Sequence, residues 1–264
     1  GFSLGDDVAV NTNNESYVSW NWKANGGTTS TLTAGTIDSV VQANTDAGFS
    51  IVTYTGDDEA RATVAHGLSQ APEWIIIKNR DETISNPAWP VFHHHDTAAP
   101  ATDHLDLEDT DATNDAETIW SDEVPTDTLV ILGTADSVNS GSAHVMYCFH
   151  SVKGYSQMGS YIGNGAANGI FVYLGFRAAW IMFKRVDGVT HWQIHDTKRS
   201  PLNPSGIGLL ANTNDADGVS TTYNLDITSN GFKLRDAHAG QNVAAGTYIY
   251  MAFAEQPFKY ANAR

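Results

Sequence analysis

One cysteine, Cys148, is all that the 264-residue chain contains, so no disulfide can close within it. Its place inside an alternating apolar stretch makes it a buried structural thiol rather than a nucleophile. Basic residues are scarce as well: Lys plus Arg number 14 against 30 Asp plus Glu, a formal net charge of -16. Phosphate binding needs clustered Lys and Arg, so a nucleic-acid partner is not expected, and anionic membrane surfaces would repel the chain. No apolar run approaches the roughly 18 residues of a spanning helix, so membrane insertion is not expected, and no secretion-signal pattern opens the sequence. Helical periodicity sustained over two turns is nearly absent too, which turns the reading toward strands. The first residue is not Met and falls inside a repeat pattern, so we expect a fragment or processed form of a longer protein. The length allows one large domain or two of ordinary size, each able to bury a core.

What the chain does contain is one pattern written three times. Ser16-Tyr-Val-Ser-Trp-Asn-Trp22, Ala143-His-Val-Met-Tyr-Cys-Phe149 and Thr247-Tyr-Ile-Tyr-Met-Ala-Phe253 each follow a short apolar tetrad and a polar turn. The tetrads are Gly1-Phe-Ser-Leu4, Leu129-Val-Ile-Leu132 and Gly231-Phe-Lys-Leu234. Strand, loop and strand repeated in this way point to a repeat architecture. Its spacing is nearly constant: Trp74 and Trp180 lie 106 residues apart, Lys78 and Lys184 106, Trp89 and Trp192 103, Phe149 and Phe253 104. Short alternating strands separated by Gly, Asn and Asp turns predict an all-β fold of tandem antiparallel β-sandwich or jelly-roll-like modules. We place the modules at 47–153 and 154–264. Residues 1–46 read as the C-terminal remnant of a preceding repeat plus a linker, with 24–46 as Thr/Ser/Gly-rich surface loop. Between the tetrads and the first strands, Leu105-Asp-Leu107 and Thr118-Ile-Trp120 are expected as strands.

Candidate chemistry is thin. His93-His94-His95 followed by Asp96 offers imidazoles to a transition metal, but on a strand His93 and His95 face one side and His94 the other. The matching stretch His191-Trp-Gln-Ile-His-Asp196 keeps a His-Asp pair without the cluster, so the plainer reading is a solvated strand end. Removing those imidazoles should then change neither fold nor assembly. The acidic stretch 103–115 carries Asp109-Thr-Asp111, whose alternating oxygen ligands suit calcium; without the Gly and terminal Glu of a helix-loop-helix site, the alternative is a plain acidic surface. Calcium is thus the one cofactor considered. No Gly-x-Ser-x-Gly elbow is present, and acids chosen from 30 cannot be paired by sequence spacing alone, so no catalytic residue is assigned and no enzyme is expected. Most aromatics fall on repeated strand positions and read as core. Trp89, near a proline, and Trp120, near an acidic turn, are the candidate stacking platforms for a sugar ring.

Several longer motifs carry a resemblance. Tyr17-Val-Ser-Trp-Asn-Trp-Lys-Ala24, Gly48-Phe-Ser-Ile-Val-Thr-Tyr-Thr-Gly56, Ala71-Pro-Glu-Trp-Ile-Ile-Ile-Lys-Asn-Arg80, Gly159-Ser-Tyr-Ile-Gly-Asn-Gly165 and Gly175-Phe-Arg-Ala-Ala-Trp-Ile-Met-Phe-Lys-Arg185 resemble a domain of unknown function. That domain recurs in predicted virion structural proteins of marine tailed phages, including cyanophages. The resemblance spans nearly the whole chain and implies a place on a virus particle: tail fibre, tailspike or capsid-surface appendage. It brings no catalytic or binding residues. The expected function is therefore a non-enzymatic virion structural protein, a tail-fibre or appendage module for host-surface recognition. The alternatives are a capsid decoration or filament-forming assembly protein, and a polysaccharide depolymerase. The expected partners are further copies, as a homotrimer, other virion proteins and a bacterial surface glycan.

Overall fold

The structure is a computed structural model that describes residues 2–81, 83, 87–97, 99–219 and 223–256. Nearly all of its regular structure is strand. After a one-turn helix α1 (Val8–Asn11) come β1 (Ser30–Leu32), β2 (Ser39–Asn44), β3 (Phe49–Thr55), β4 (Ala62–Ala65), β5 (Trp74–Asn79), β6 (Pro90–His93), β7 (Asp103–Asp106) and β8 (Asn114–Asp115). Helix α2 (Glu117–Trp120), β9 (Leu129–Leu132), helix α3 (Asp136–Asn139) and β10 (Ala143–Phe149) follow. The second half holds β11 (Ser156–Ile162), β12 (Phe171–Tyr173), β13 (Ala178–Arg185), β14 (Gln193–Asp196), β15 (Ile207–Leu210), β16 (Gly218–Val219), β17 (Leu225–Thr228), β18 (Gly231–Leu234) and β19 (Thr247–Ala254).

The strand order repeats. One large sheet runs β1-β2-β3-β10-β5-β6-β7-β8 and the other β11-β19-β13-β14-β15-β16, so the last six strands of the first match the second position by position. Each has a small companion sheet, β4-β9 for the first and β12-β18-β17 for the second. All named strand pairs are antiparallel, as the sandwich expectation requires.

Three apolar cores hold the layers together. Even-numbered residues of β10 (Met146, Cys148) meet Val64, Val130, Leu132 and Trp120 under the first small sheet. Residues of β19 on the same relative face (Tyr248, Tyr250, Ala252) meet Val172, Ile227 and Phe232 under the second. The opposite faces of both strands, through Phe149, Ile249, Met251 and Phe253, join Trp74, Trp180, Met182 and Trp192 in a core between the two large sheets. Each large sheet is thus buried on both sides, which is why Trp74–Asn79 and Thr247–Ala254 read as nearly unbroken β-branched and aromatic runs rather than clean alternation.

Three expectations are corrected. Residues 24–46 are more than surface loop: Ser39-Val-Val-Gln-Ala-Asn44 forms β2, which pairs with β3 and carries β1 on its outer edge. Thr118-Ile-Trp120 is helical, not extended; three residues are too few to separate periods of 2 and 3.6, and Ser121 closes the turn in the left-handed region at φ 53°. Among the described residues Ser16–Trp22 joins no sheet; instead Trp20 and Trp22 pack edge-on against Trp180 of the core between the large sheets, at 6.4 Å and 5.4 Å.

Candidate functional site

The histidine run and the acidic stretch, brought together by the β6–β7 hairpin, line one cleft of about 640 Å3 between the two large sheets. His95, Asp96, Asp103, Thr113 and Asp115 line it from the first sheet's side; Ser160, Asp187 and Thr247 line it from the second's. Strand β6 ends at His93, and the turn that follows draws all three imidazoles together, with ring centroids 3.9 Å apart for His94 and His95 and 5.0 Å for His93 and His94. The strand-alternation argument fails here because only His93 lies on the strand. The strand end is solvated only in part: His95 is exposed, whereas His93 is fully buried, edge-on to Trp74 at 5.0 Å. Burial first, then the neighbouring imidazoles, holds His93 well below the usual histidine range. His94 reaches across to the second sheet, its Nε2 lying 3.2 Å from the Met158 carbonyl oxygen.

Asp96 is the most deeply placed acid of the cleft, 1% exposed. Its Oδ1 accepts the Thr113 hydroxyl at 2.6 Å, while Oδ2 has no hydrogen-bond partner among the described residues. Burial pushes its carboxyl up to about 7, with Asp103 adding to the rise and Thr113 and Lys184 opposing it. Asp103 is raised by burial too, and accepts the hydroxyls of Thr97 and Thr102.

Asp109 and Asp111, the calcium candidates, sit on a tight turn in which the Asp111 amide donates to Asp109 Oδ1 at 2.9 Å. The carbonyls of that turn face a cation supplied by the protein. Lys184 Nζ, from β13, donates to the carbonyl oxygens of Asp111 at 2.8 Å, Thr110 at 3.3 Å and Arg185 at 2.8 Å. Burial lowers the Lys184 ammonium to about 8, against the pull of Asp109, Asp96 and Asp111 toward the charged form. Among the described residues no three His, Cys, Asp or Glu side chains converge where a metal ion could be held. The same turn is stitched to the second sheet by backbone bonds from Thr113 to Val186 and from Thr190 to Thr110, 2.9 Å each. Residues 106–113 therefore latch the two large sheets together.

With this geometry in place, the chain can be set beside known families. It belongs to the family described as Domain of unknown function (DUF7483). The match covers residues 1–257, taking in both large sheets and the segment before them. No curated protein and no solved structure matches the chain. Membership of DUF7483 adds no ligand or catalytic residue to those found in the structure.

The two aromatic candidates part company. Trp120 is 1% exposed and packs edge-on to Phe92 at 5.8 Å, so its indole belongs to the first core and presents no face to a sugar. Trp89 is half-exposed, yet Lys78 Nζ lies over its ring at 5.6 Å while donating to the Pro87 carbonyl oxygen at 2.8 Å. A second, larger cleft of about 770 Å3 lies beside the N-terminal segment, where Arg199 covers Trp20 at 5.4 Å and binds buried Asp196 at 2.5 Å.

The polar residues that the sequence reading missed belong to a turn built three times. In the first repeat the Tyr54 hydroxyl donates to the Val138 carbonyl at 2.6 Å, and Asn139 accepts from Asp57 N at 3.0 Å while donating to the carbonyls of Glu59 and Gly133. In the second the Tyr161 hydroxyl donates to the Gln241 carbonyl at 3.0 Å, and Asn242 accepts from Asn164 N at 2.9 Å while donating to the carbonyls of Ala166 and Asp236. The paired motifs Tyr54-Thr-Gly-Asp57 and Tyr161-Ile-Gly-Asn164 were the available signal. The N-terminal segment holds a third version. Asn11 Nδ2 donates to the Gly5 carbonyl at 2.6 Å, and Thr12 N donates to the Tyr17 hydroxyl at 2.8 Å, as Val243 N does to the Tyr248 hydroxyl at 2.9 Å.

Proposed function

We propose that the protein is a non-enzymatic structural module of a phage particle, a tail-fibre or other appendage segment built from stacked β repeats and presented to the host surface. The resemblance of its longer motifs to a domain of phage virion proteins supports the location. The observation that carries the structural role is the N-terminal turn. Phe2, Leu4, Val10 and Tyr17 are 62%, 50%, 43% and 50% exposed. Their counterparts Phe232, Leu234 and Tyr248 in the second repeat, and Leu132 and Val138 in the first, are fully buried. Apolar residues held in a preformed turn and left open are an assembly surface, since contiguous apolar area of this kind marks interaction sites. The covering element has the character of β3 and β11, a strand ending in Tyr-x-Gly followed by Asp or Asn. The net charge of -16 keeps such modules from wrong association.

A reconstruction of the intact particle at side-chain resolution tests this. The proposal expects the protein in the particle, with residues 2–22 covered by a further β repeat and the cleft between the large sheets facing outward. Particles that lack the protein, or that leave residues 2–22 uncovered, overturn it. Copies lying flat on a capsid lattice with that cleft buried would make it a decoration protein instead.

A further inference from the structure

One side of the first module is closed by a strap that the second module lacks among the described residues. In the first, residues 36–44 run from the edge of β4 onto the edge of β3: Ile37 N donates to the Thr63 carbonyl oxygen at 3.0 Å, the Ser39 hydroxyl donates to that of Ala65 at 2.8 Å, and β2 then pairs with β3. Ile37, Ser39 and Val41 point inward and are buried, while Thr36, Asp38 and Val40 are exposed. In the second module only residues 150–155 lead into β11, so β11 and β12 are the outer strands of their sheets.

The ladders fix the correspondence. Val64 pairs with Val130 and Val172 with Phe232, so Thr63 and Ala65 match Phe171 and Tyr173. Thr63 is half-buried and Ala65 buried, but Phe171 and Tyr173 are 45% and 65% exposed, and Ile162 of β11 is 64% exposed. Gly67 and Gly175 match too, both left-handed at φ 72° and 77°. A Cβ on Gly67 would meet Val41 at 2.9 Å, Ala43 at 3.3 Å and Leu32 at 3.5 Å, whereas the nearest atoms to one on Gly175 all belong to Tyr173. Ile170 and Leu174 bond to β18, so Phe171 and Tyr173 turn their peptide groups outward. On β11 the Ser151 hydroxyl already takes the Met158 amide at 3.0 Å, and the open edge begins at Ser160. Neither Ser156–Ile162 nor Phe171–Tyr173 contains a charge or a proline, the usual devices that keep an edge unpaired.

We propose that this side of the second module takes up an extended strap from a neighbouring chain, with the pattern of Thr36–Val41: β-branched and hydroxyl side chains at alternate, inward positions. The strap lies parallel to β12 and then antiparallel to β11 from Ser160, as Ile37 lies beside Val64 and Val40 beside Thr53. The chain's own strap is already committed to β3 and β4, so the occupant comes from outside it. Phe171 and Tyr173 add apolar area to hold it where Thr63 and Ala65 offer little. This surface is separate from the open N-terminal turn, so its failure leaves the proposed function as it stands.

Titration of the full chain with a labelled peptide of residues 30–44 tests it, with fluorescence anisotropy reading affinity and amide hydrogen exchange reading place. The peptide should bind one to one with a dissociation constant below about 1 mM and slow exchange at the amides of Phe171 and Tyr173. Ile37→Asp in the peptide should weaken it about tenfold, because the inward side chain sets the fit. Tyr173→Asp in the chain changes an exposed side chain and should weaken it by a similar factor with an unchanged circular dichroism spectrum. Val189→Asp, exposed on the turn after β13, should leave it unchanged. No binding, or binding indifferent to Tyr173→Asp, would overturn the assignment. So would a dimer that forms without peptide and is abolished by Ile162→Lys, since that edge would then belong to a second copy paired through β11.

Discussion

The turn at Asn139 and the turn at Asn11 share a local design and differ in everything around it. Both fold a single helical turn, α3 and α1, and both turn the asparagine amide back onto a nearby carbonyl, Gly133 in one and Gly5 in the other. Around Asn139 the strand end of β3 closes the turn through Tyr54 and Asp57, and the asparagine is fully buried. Around Asn11 no such strand lies among the described residues, and Val8 and Val10 are exposed. The difference teaches that the turn is encoded locally, whereas its contribution to stability comes from the sheet that covers it.

The largest effect that would sharpen this comparison is the loss of an enclosed asparagine. Asn139→Ala or Asn242→Ala leaves a buried amide and several carbonyls without partners and should destabilise by about 3 kcal/mol or more in urea titrations. Asn11→Ala should stay within about 0.5 kcal/mol, since its site is exposed. The two equivalent lysines give a parallel contrast. Lys184→Met strands the carbonyls of Thr110 and Asp111 in the latch and should cost about 2–3 kcal/mol, while Lys78→Met, half-exposed beside Trp89, should cost well under about 1 kcal/mol.

A pH dependence comes next. The folded protein keeps a proton on Asp96 up to about 7, whereas the unfolded chain releases it near the ordinary carboxylate value, so this group costs stability as pH rises between those limits. Asp96→Asn should therefore gain roughly 2 kcal/mol relative to the parent between pH 5 and pH 8, read from paired unfolding curves. His66 and His195, lowered by burial to about 4 and about 3, act in the opposite sense. The folded protein refuses protons there that the unfolded chain takes up, so stability is lost as pH falls below the ordinary histidine value near 6.5. Phenylalanine in place of the tyrosines should give the smallest contrast: about 1 kcal/mol for Tyr54 and Tyr161, whose hydroxyls bond buried carbonyls, and less than about 0.5 kcal/mol for Tyr17.

The repeat was legible because strands of matched length carry matched large residues: Trp74 and Trp180, Phe149 and Phe253 occupy the same ladder positions in the two large sheets. Register was not. Trp74 faces His93 across its ladder and Trp180 faces Asp196, so the counterpart of Asp196 is His93, and the shared His-Asp spelling at 95–96 and 195–196 misled. Helix α2 escaped because Ile119 and Trp120 are one buried turn, too short to show a period. The cleft was half legible. His93 to Asp96 and the acids from Asp103 onward meet locally at the end of the β6–β7 hairpin, where Asp103 accepts the Thr97 hydroxyl and Asp96 that of Thr113, but the wall that closes the cleft comes from the second sheet, joined through Val186 and Lys184 about seventy residues further along the chain. No local pattern carries a contact of that range. Asn139 and Asn242 were passed over because a buried asparagine spells like a turn residue until its partners are seen.

Native-state hydrogen exchange at the amides of Asn11, Asn139 and Asn242 tests the central claim most directly. Asn139 N and Asn242 N, each bonded to a carbonyl at 2.9 Å and 2.8 Å inside a covered turn, should exchange only with global unfolding, while Asn11 N, bonded at 2.9 Å in an open one, should exchange orders of magnitude faster. Equal protection at all three in the isolated chain would contradict the account, because the N-terminal turn would then already be covered.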